Sequence, residues 1–157
     1  MQLTNPYFVV RIGRFYFGIL SEYVRKALPV IPHIEVPLLK PHFGGIVLYS
    51  KRFIAKLFLD SVLDIGLYRQ SKIVTTDSTV IFEVQGVTFC ATVNEVMPVT
   101  LVEQSKILPI EQAPESCDPI FPKKDYLLGF FEERQKHVYI VDMERVFRDS
   151  FAALPQT

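Results

Sequence analysis

The side chains able to do chemistry in this sequence are few: His33, His42, His137, Cys90, Cys117, some serines and the acidic pair Glu132-Glu133. A metal centre needs ligands that converge and are held by outer-shell hydrogen bonds. No His-x-x-x-His, Cys-x-x-Cys or Glu-x-x-His spacing occurs, and His42 falls in a proline-rich stretch that predicts an exposed loop residue. A serine nucleophile would want a Gly-x-Ser-x-Gly elbow, which is absent. Cys117 sits in PESCDP beside Asp118, and a nearby carboxylate disfavours the thiolate. Cys90 lies in a strand-like run and reads as a small buried hydrophobe. Glu132-Glu133 falls at an expected hairpin turn, where solvation accounts for it, and Gly44-Gly45 lacks the lysine of a phosphate loop. No enzyme signature emerges, and no metal or cofactor is expected.

Binding is the remaining class. Lys51 and Arg52 are placed at a hairpin tip, and Lys123-Lys124 precedes a later strand. A barrel that binds nucleic acid wants a basic groove with aromatics on its strands. Here 17 basic residues balance 17 acidic ones across 157, so no global field favours nucleic acid or an anionic membrane. No apolar run approaches the roughly 18–20 residues of a membrane span. The opening MQLTNPYFVV lacks a signal-peptide layout, and two cysteines make no disulfide framework, so a cytoplasmic protein is expected. With 49% hydrophobic residues and 13% aromatics, a core can be filled with apolar surface left over for partners.

The elements that position these residues are mostly strands. The pattern predicts a first hairpin from Tyr7 to Leu20 about Gly13-Arg14, then a helix EYVRKAL capped by Ser21 with Val24, Ala27 and Leu28 on one face. Pro29, Pro32, Pro37 and Pro41 predict irregular chain. Gly45–Ser50 and Phe53–Leu59 form a hairpin bent at Lys51-Arg52. Asp60 or Ser61 would cap the turn that follows, and Gly66 would end it. Lys-Arg takes φ > 0 only at a cost, so a longer or bulged connection is expected there. Leu67–Ser78 is a polar connector. Ser78–Val84 and Val87–Val93 alternate about Gln85-Gly86, the clearest hairpin in the chain. Pro109–Pro122 reads as an ordered or semi-ordered loop, and Asp142 caps a helix with Met143, Val146, Phe147 and Phe151 on its core side.

Several stretches together resemble the CheW-like family of chemotaxis coupling proteins. Gly45-Ile46-Val47, Arg52 and Asp60 to Gly66 follow its G-V-I-N-L-R-G-R-V-V-P-V-I-D-L-x-x-x-L-G pattern. The family's L-R-G becomes Tyr49-Ser50-Lys51, and the strand to Asp60 is two residues longer. Its V-R-E-V segment stands as Val24-Arg25-Lys26-Ala27, its V-D-A-V as Val93-Asn94-Glu95-Val96, and its Y-L-R-G as Tyr126-Leu127-Leu128-Gly129. The resemblance runs from Tyr7 to Phe147.

It implies a mainly β protein: two small five-stranded SH3-like β-barrels packed together, with short helices. The 1–157 chain would be a single domain with approximate sub-barrels 7–66 and 78–147, strand exchange between them allowed. It also implies a non-enzymatic adaptor that couples chemoreceptor cytoplasmic tips to the regulatory domain of a CheA-type histidine kinase. The output would be flagellar chemotaxis, or type IV pilus twitching as in the PilI-like branch. The partner-binding residues it points to are Val24, Lys26, Ser50, Lys51, Arg52 and Val96. Lys26 stands where the family usually has glutamate and Ser50 where it has arginine, so a salt bridge between the two cannot form. Altered partner choice and simple drift both fit that change. Two other classes stay open: a small β-barrel enzyme with an unrecognised site, and a barrel module that binds peptide or nucleic acid.

Overall fold

Apolar residues at every second position put Val80, Phe82 and Val84 of β6 (Ser78–Val84) and Phe89, Ala91 and Val93 of β7 (Val87–Val93) on one buried face, and Ile81 and Cys90 are buried on the other. The two strands pair antiparallel across a two-residue turn, Gln85 at φ 51 and Gly86 at φ 79, as the sequence predicts. The computed structural model describes residues 3–36, 42–65 and 75–151. The expected Gly66 stop, Pro37, Pro41 and most of the Leu67–Ser78 connector lie outside them.

Within the described residues the chain is mainly β, in two sheets. One is six-stranded, in the order β10 (Leu127–Glu133), β11 (Lys136–Val141), β2 (Phe15–Leu20), β1 (Thr4–Ile12), β8 (Glu95–Val96), with β9 (Thr100–Glu103) also on β1. The other is five-stranded: β3 (Val24–Pro29), β6, β7, β5 (Arg52–Leu57), β4 (Phe43–Tyr49). Both sheets take strands from 7–66 and from 78–147, so the two halves of the chain are interlaced.

Neither hydrogen-bonded order closes on itself, yet one residue pair bridges each seam. After β3, the Ile31 N–H donates to Thr79 Oγ1 on β6 at 2.9 Å. Ile34 then exchanges two backbone bonds with Ile46 on β4, at 2.8 and 2.9 Å. In the other sheet Leu108 does the same with Phe130 on β10, at 2.8 and 3.0 Å. Each bridge sits beside a glycine in the left-handed half of backbone space, Gly45 at φ 137 and Gly129 at φ 154. A Cβ on Gly45 would fall 2.1 Å from the Ile34 carbonyl oxygen, and one on Gly129 2.8 Å from that of Leu108. Only glycine lets the bridging strand come so close. The ladder also slips by one residue at each glycine, so the two halves share one closing device.

Three apolar cores follow from this layout. Tyr7, Val9, Val102, Phe131, Val138 and Ile140 fill the first sheet. Val47, Ile54, Ile81 and Cys90 fill the second. The largest cluster lies between the sheets, with Phe17, Phe82, Phe89 and Val146 wholly buried. Helix α2 (Met143–Phe151) covers it as expected. The Asp142 carboxylate accepts the Arg145 N–H at 3.1 Å, and the Phe151 ring packs tilted against Phe89 and edge-to-face against Phe43, at 5.1 and 5.2 Å between ring centres. Truncating a wholly buried ring of this core, such as Phe82 or Phe89, to alanine would cost about 3 kcal/mol or more.

Three expectations are corrected. EYVRKAL is not a helix: Ser21–Tyr23 makes one 3-10 turn with no side-chain cap, and Val24–Pro29 is strand β3 on β6. A short isolated helix has an unfavourable nucleus, whereas β6 offers Val24 and Leu28 a ladder and partly buried neighbours. The β4–β5 connection is neither long nor bulged at its tip. Ser50 and Lys51 form the two-residue turn at φ 52 and 64, and Tyr49 pairs with Arg52. The inward placement of Val47 and Ile54 fixes that register and outweighs the cost of two non-glycine residues at positive φ. Helix α1 (Leu59–Val62) starts from Phe58 without a side-chain cap, so neither Asp60 nor Ser61 plays that part. Pro109–Pro122 is an ordered loop, as the sequence predicts, with 3-10 turns at Ile110–Gln112 and Pro114–Cys117 that sink Ile110, Ala113 and Phe121 into the core.

Candidate partner surface

The β4–β5 hairpin presents an outward apolar pair. Strand alternation turns Val47 and Ile54 inward, so their neighbours Leu48 and Phe53 face solvent as a cross-strand pair, 55% and 61% exposed. Ser50, Lys51 and Arg52 cap that pair at the tip, all exposed. Ile34 and Val36, on the segment bridging to β4, are exposed as well. Among the described residues no carboxylate lies within ion-pair distance of Lys26, Lys51 or Arg52. An exposed aromatic with aliphatic neighbours and unpaired cations around it has the composition of a protein-binding patch.

Ser50, Lys51 and Arg52 are therefore together, at the open end of one hairpin. Lys26 is exposed on β3, at the opposite end of the same sheet's order from β4. Its neighbour Val24 is half-buried against the shared core and paired with Phe82. Arg25, left unpaired by a bulge, donates instead to Glu83 at 2.8 Å. Val96 belongs to the other sheet, on Val10 of β1, and packs on the shared core. Leu48 and Phe53 carry the apolar part of the surface and were not singled out in the sequence. Their run is apolar on both faces, so the sequence carries no local signal of which side meets solvent.

The chemistry-bearing side chains are tied into structure. His42 is half-buried, with Nδ1 2.8 Å from Ser61 Oγ, where an exposed loop residue was expected. Lys56 points into the second sheet's interior beside Cys90, and its ammonium donates to His33 Nδ1 at 3.0 Å. Burial lowers the Lys56 pKa. Burial and then the Lys56 charge lower that of His33, which keeps His33 neutral and able to accept. Burial pushes the Cys90 thiol up to about 12. His137 lies between two carboxylates, with Nδ1 2.8 Å from Glu115 and Nε2 3.2 Å from Glu132. Burial alone would lower its pKa, but the bonds to Glu115 and Glu132 prevail and raise it. Glu132 thus lies within β10 as a partner of His137 and not in the turn, which is Arg134-Gln135. Among the described residues no three His, Cys, Asp or Glu side chains gather as a metal site would require, and no helix is long and apolar enough to cross a membrane.

The crystal structure of the scaffolding protein TtCheW from Thermoanaerobacter tengcongensis matches this chain with a TM-score of 0.76, covering 92% of this chain and 93% of that one at 15% sequence identity. The chain has the CheW fold. No family model and no curated protein matches the sequence. In the CheW fold as built here, Lys26 and the Ser50–Arg52 tip belong to the five-stranded sheet, and Val96 to the six-stranded one.

Proposed function

We propose that this chain is a non-enzymatic scaffold of bacterial chemotaxis or twitching-motility signalling, acting in the cytoplasm as one CheW-like domain. It would couple the cytoplasmic tip of a chemoreceptor to the regulatory domain of a CheA-type histidine kinase. The observation that carries the reading is the CheW fold over nearly the whole chain, at a TM-score of 0.76. The outward Leu48–Phe53 pair ringed by Ser50, Lys51 and Arg52 supports it as a contact surface of suitable composition.

Lys26 and Ser50 would set which partner is accepted, because rim charges govern discrimination and encounter more than affinity. The test is retention of a purified receptor tip and a purified kinase regulatory domain by the immobilised chain. Binding of both is expected, with loss of the kinase regulatory domain on Phe53→Glu. A gain toward a standard receptor tip on combining Lys26→Glu with Ser50→Arg supports altered partner choice, and no gain supports drift. If the wild-type chain retains neither partner, the adaptor reading fails.

A further inference from the structure

The six-stranded sheet carries a second opening, on a different sheet from the β4–β5 tip. Strand β9 pairs only with β1. Strand β10 pairs with β11 and, at Phe130 alone, with Leu108. Beyond that bridge, among the described residues, Thr100–Glu103 and Phe131–Glu133 face each other with no ladder between them. Two cavities follow this seam. One of about 210 Å³ lies between Val102 and Phe131. The other, about 380 Å³, is the mouth of the sheet's own core, floored by Val9, Met97 and Val138. Val99 and Leu101 stand beside it, 54% and 72% exposed.

The opposite wall of the mouth is the β10–β11 turn, with Arg134 and Lys136. The Arg134 side chain is 80% exposed and, among the described residues, pairs only with Glu133, 4.0 Å away. The Lys136 ammonium donates to the Tyr16 hydroxyl at 2.6 Å and lies over that ring, and among the described residues no carboxylate reaches it. A free strand edge offers backbone donors and acceptors. An apolar floor takes one side chain, and two loosely held cations take a carboxylate.

We infer that the β9–β10 seam takes an extended segment of a partner protein, added as a strand along β9, with an apolar side chain in the mouth and an adjacent Asp or Glu at Arg134 and Lys136. This site is separate from the β4–β5 surface and does not rest on the adaptor reading. The test is selection of a phage-displayed random decapeptide library on the intact chain, with counter-selection on the Leu101→Lys, Arg134→Glu double variant. Both positions are exposed, so the variant keeps the wild-type circular dichroism and urea midpoint. The expected result is enrichment of peptides with Val, Ile, Leu or Phe next to Asp or Glu. A synthetic copy of the best peptide should bind the double variant about tenfold or more weakly. It should lose a similar factor when N-methylated at alternate residues, which removes strand hydrogen bonds but leaves the side chains. No enrichment over the variant, or equal binding by the N-methylated peptide, would overturn the inference.

Discussion

Gly45→Ala should be far more costly than an ordinary glycine substitution, because it strikes the bridge that narrows the five-stranded sheet's seam. The added Cβ would lie 2.1 Å from the Ile34 carbonyl oxygen, a backbone atom that moves only if the Ile34–Ile46 pair opens. Two backbone bonds, of 2.8 and 2.9 Å, would be lost. At about 1 kcal/mol each, with about 1–2 kcal/mol for an L-residue at φ 137, the sum is about 3–4 kcal/mol. Gly86→Ala is the internal control. That residue is also at positive φ, 79°, but its Cβ would meet nothing within 4 Å, so only the backbone term of about 1–2 kcal/mol applies. Urea unfolding followed by circular dichroism reads both, and hydrogen exchange at the Ile34 and Ile46 amides reads the bridge directly. A Gly45→Ala cost no greater than that of Gly86→Ala, or Ile34 and Ile46 amides still protected in the variant, would refute the reasoning.

Lys51→Gly should stabilise the chain by about 1 kcal/mol, since Lys51 occupies φ 64, where a side chain strains the backbone and glycine does not; a lower urea midpoint would count against the turn assignment. The raised pKa of His137 stabilises the fold fully below the unfolded value of 6.5 and is lost as pH rises through the folded value. Burial works against the lowered pKa of Glu115, but the His137 bond prevails, so its contribution is present above 4.5 and lost as pH falls through its folded value. The stability difference between wild type and His137→Asn is thus greatest between those two ordinary values and shrinks as pH rises through the raised folded value of His137, as paired urea titrations would show. Phe53→Ser should shift unfolding free energy by no more than about 0.5 kcal/mol, because the ring is 61% exposed, while weakening partner binding about tenfold or more in titration calorimetry.

How much of this was legible depends on whether a segment's partner is near it in sequence. The β6–β7 hairpin could be read from alternation and a Gln-Gly turn, because its ladder is local. Helix α2 could be read from Asp142 and the three-and-four spacing of Met143, Val146 and Phe147. Strand β3 could not. Val24, Ala27 and Leu28 fit a helical face equally well, and the strand that decides the matter, β6, begins only at Ser78. The interlaced sheets rest on parallel pairs β2–β11 and β5–β7 whose members are distant in the chain and leave no local mark. The tip charges were visible, but Leu48 and Phe53 were hidden in a run that is apolar on both faces, so period two could not say which side met solvent. His137 was visible as a residue, but its clamp depends on Glu115 arriving from the proline-rich loop.

The most direct measurement is titration of a CheA-type kinase regulatory domain into the intact chain by calorimetry, wild type beside Phe53→Glu. The account predicts saturable one-to-one binding by the wild type and its loss in the variant, with the fold retained. Absence of heat with the wild type, or binding that Phe53→Glu leaves unchanged, would contradict a scaffold that works through the β4–β5 surface.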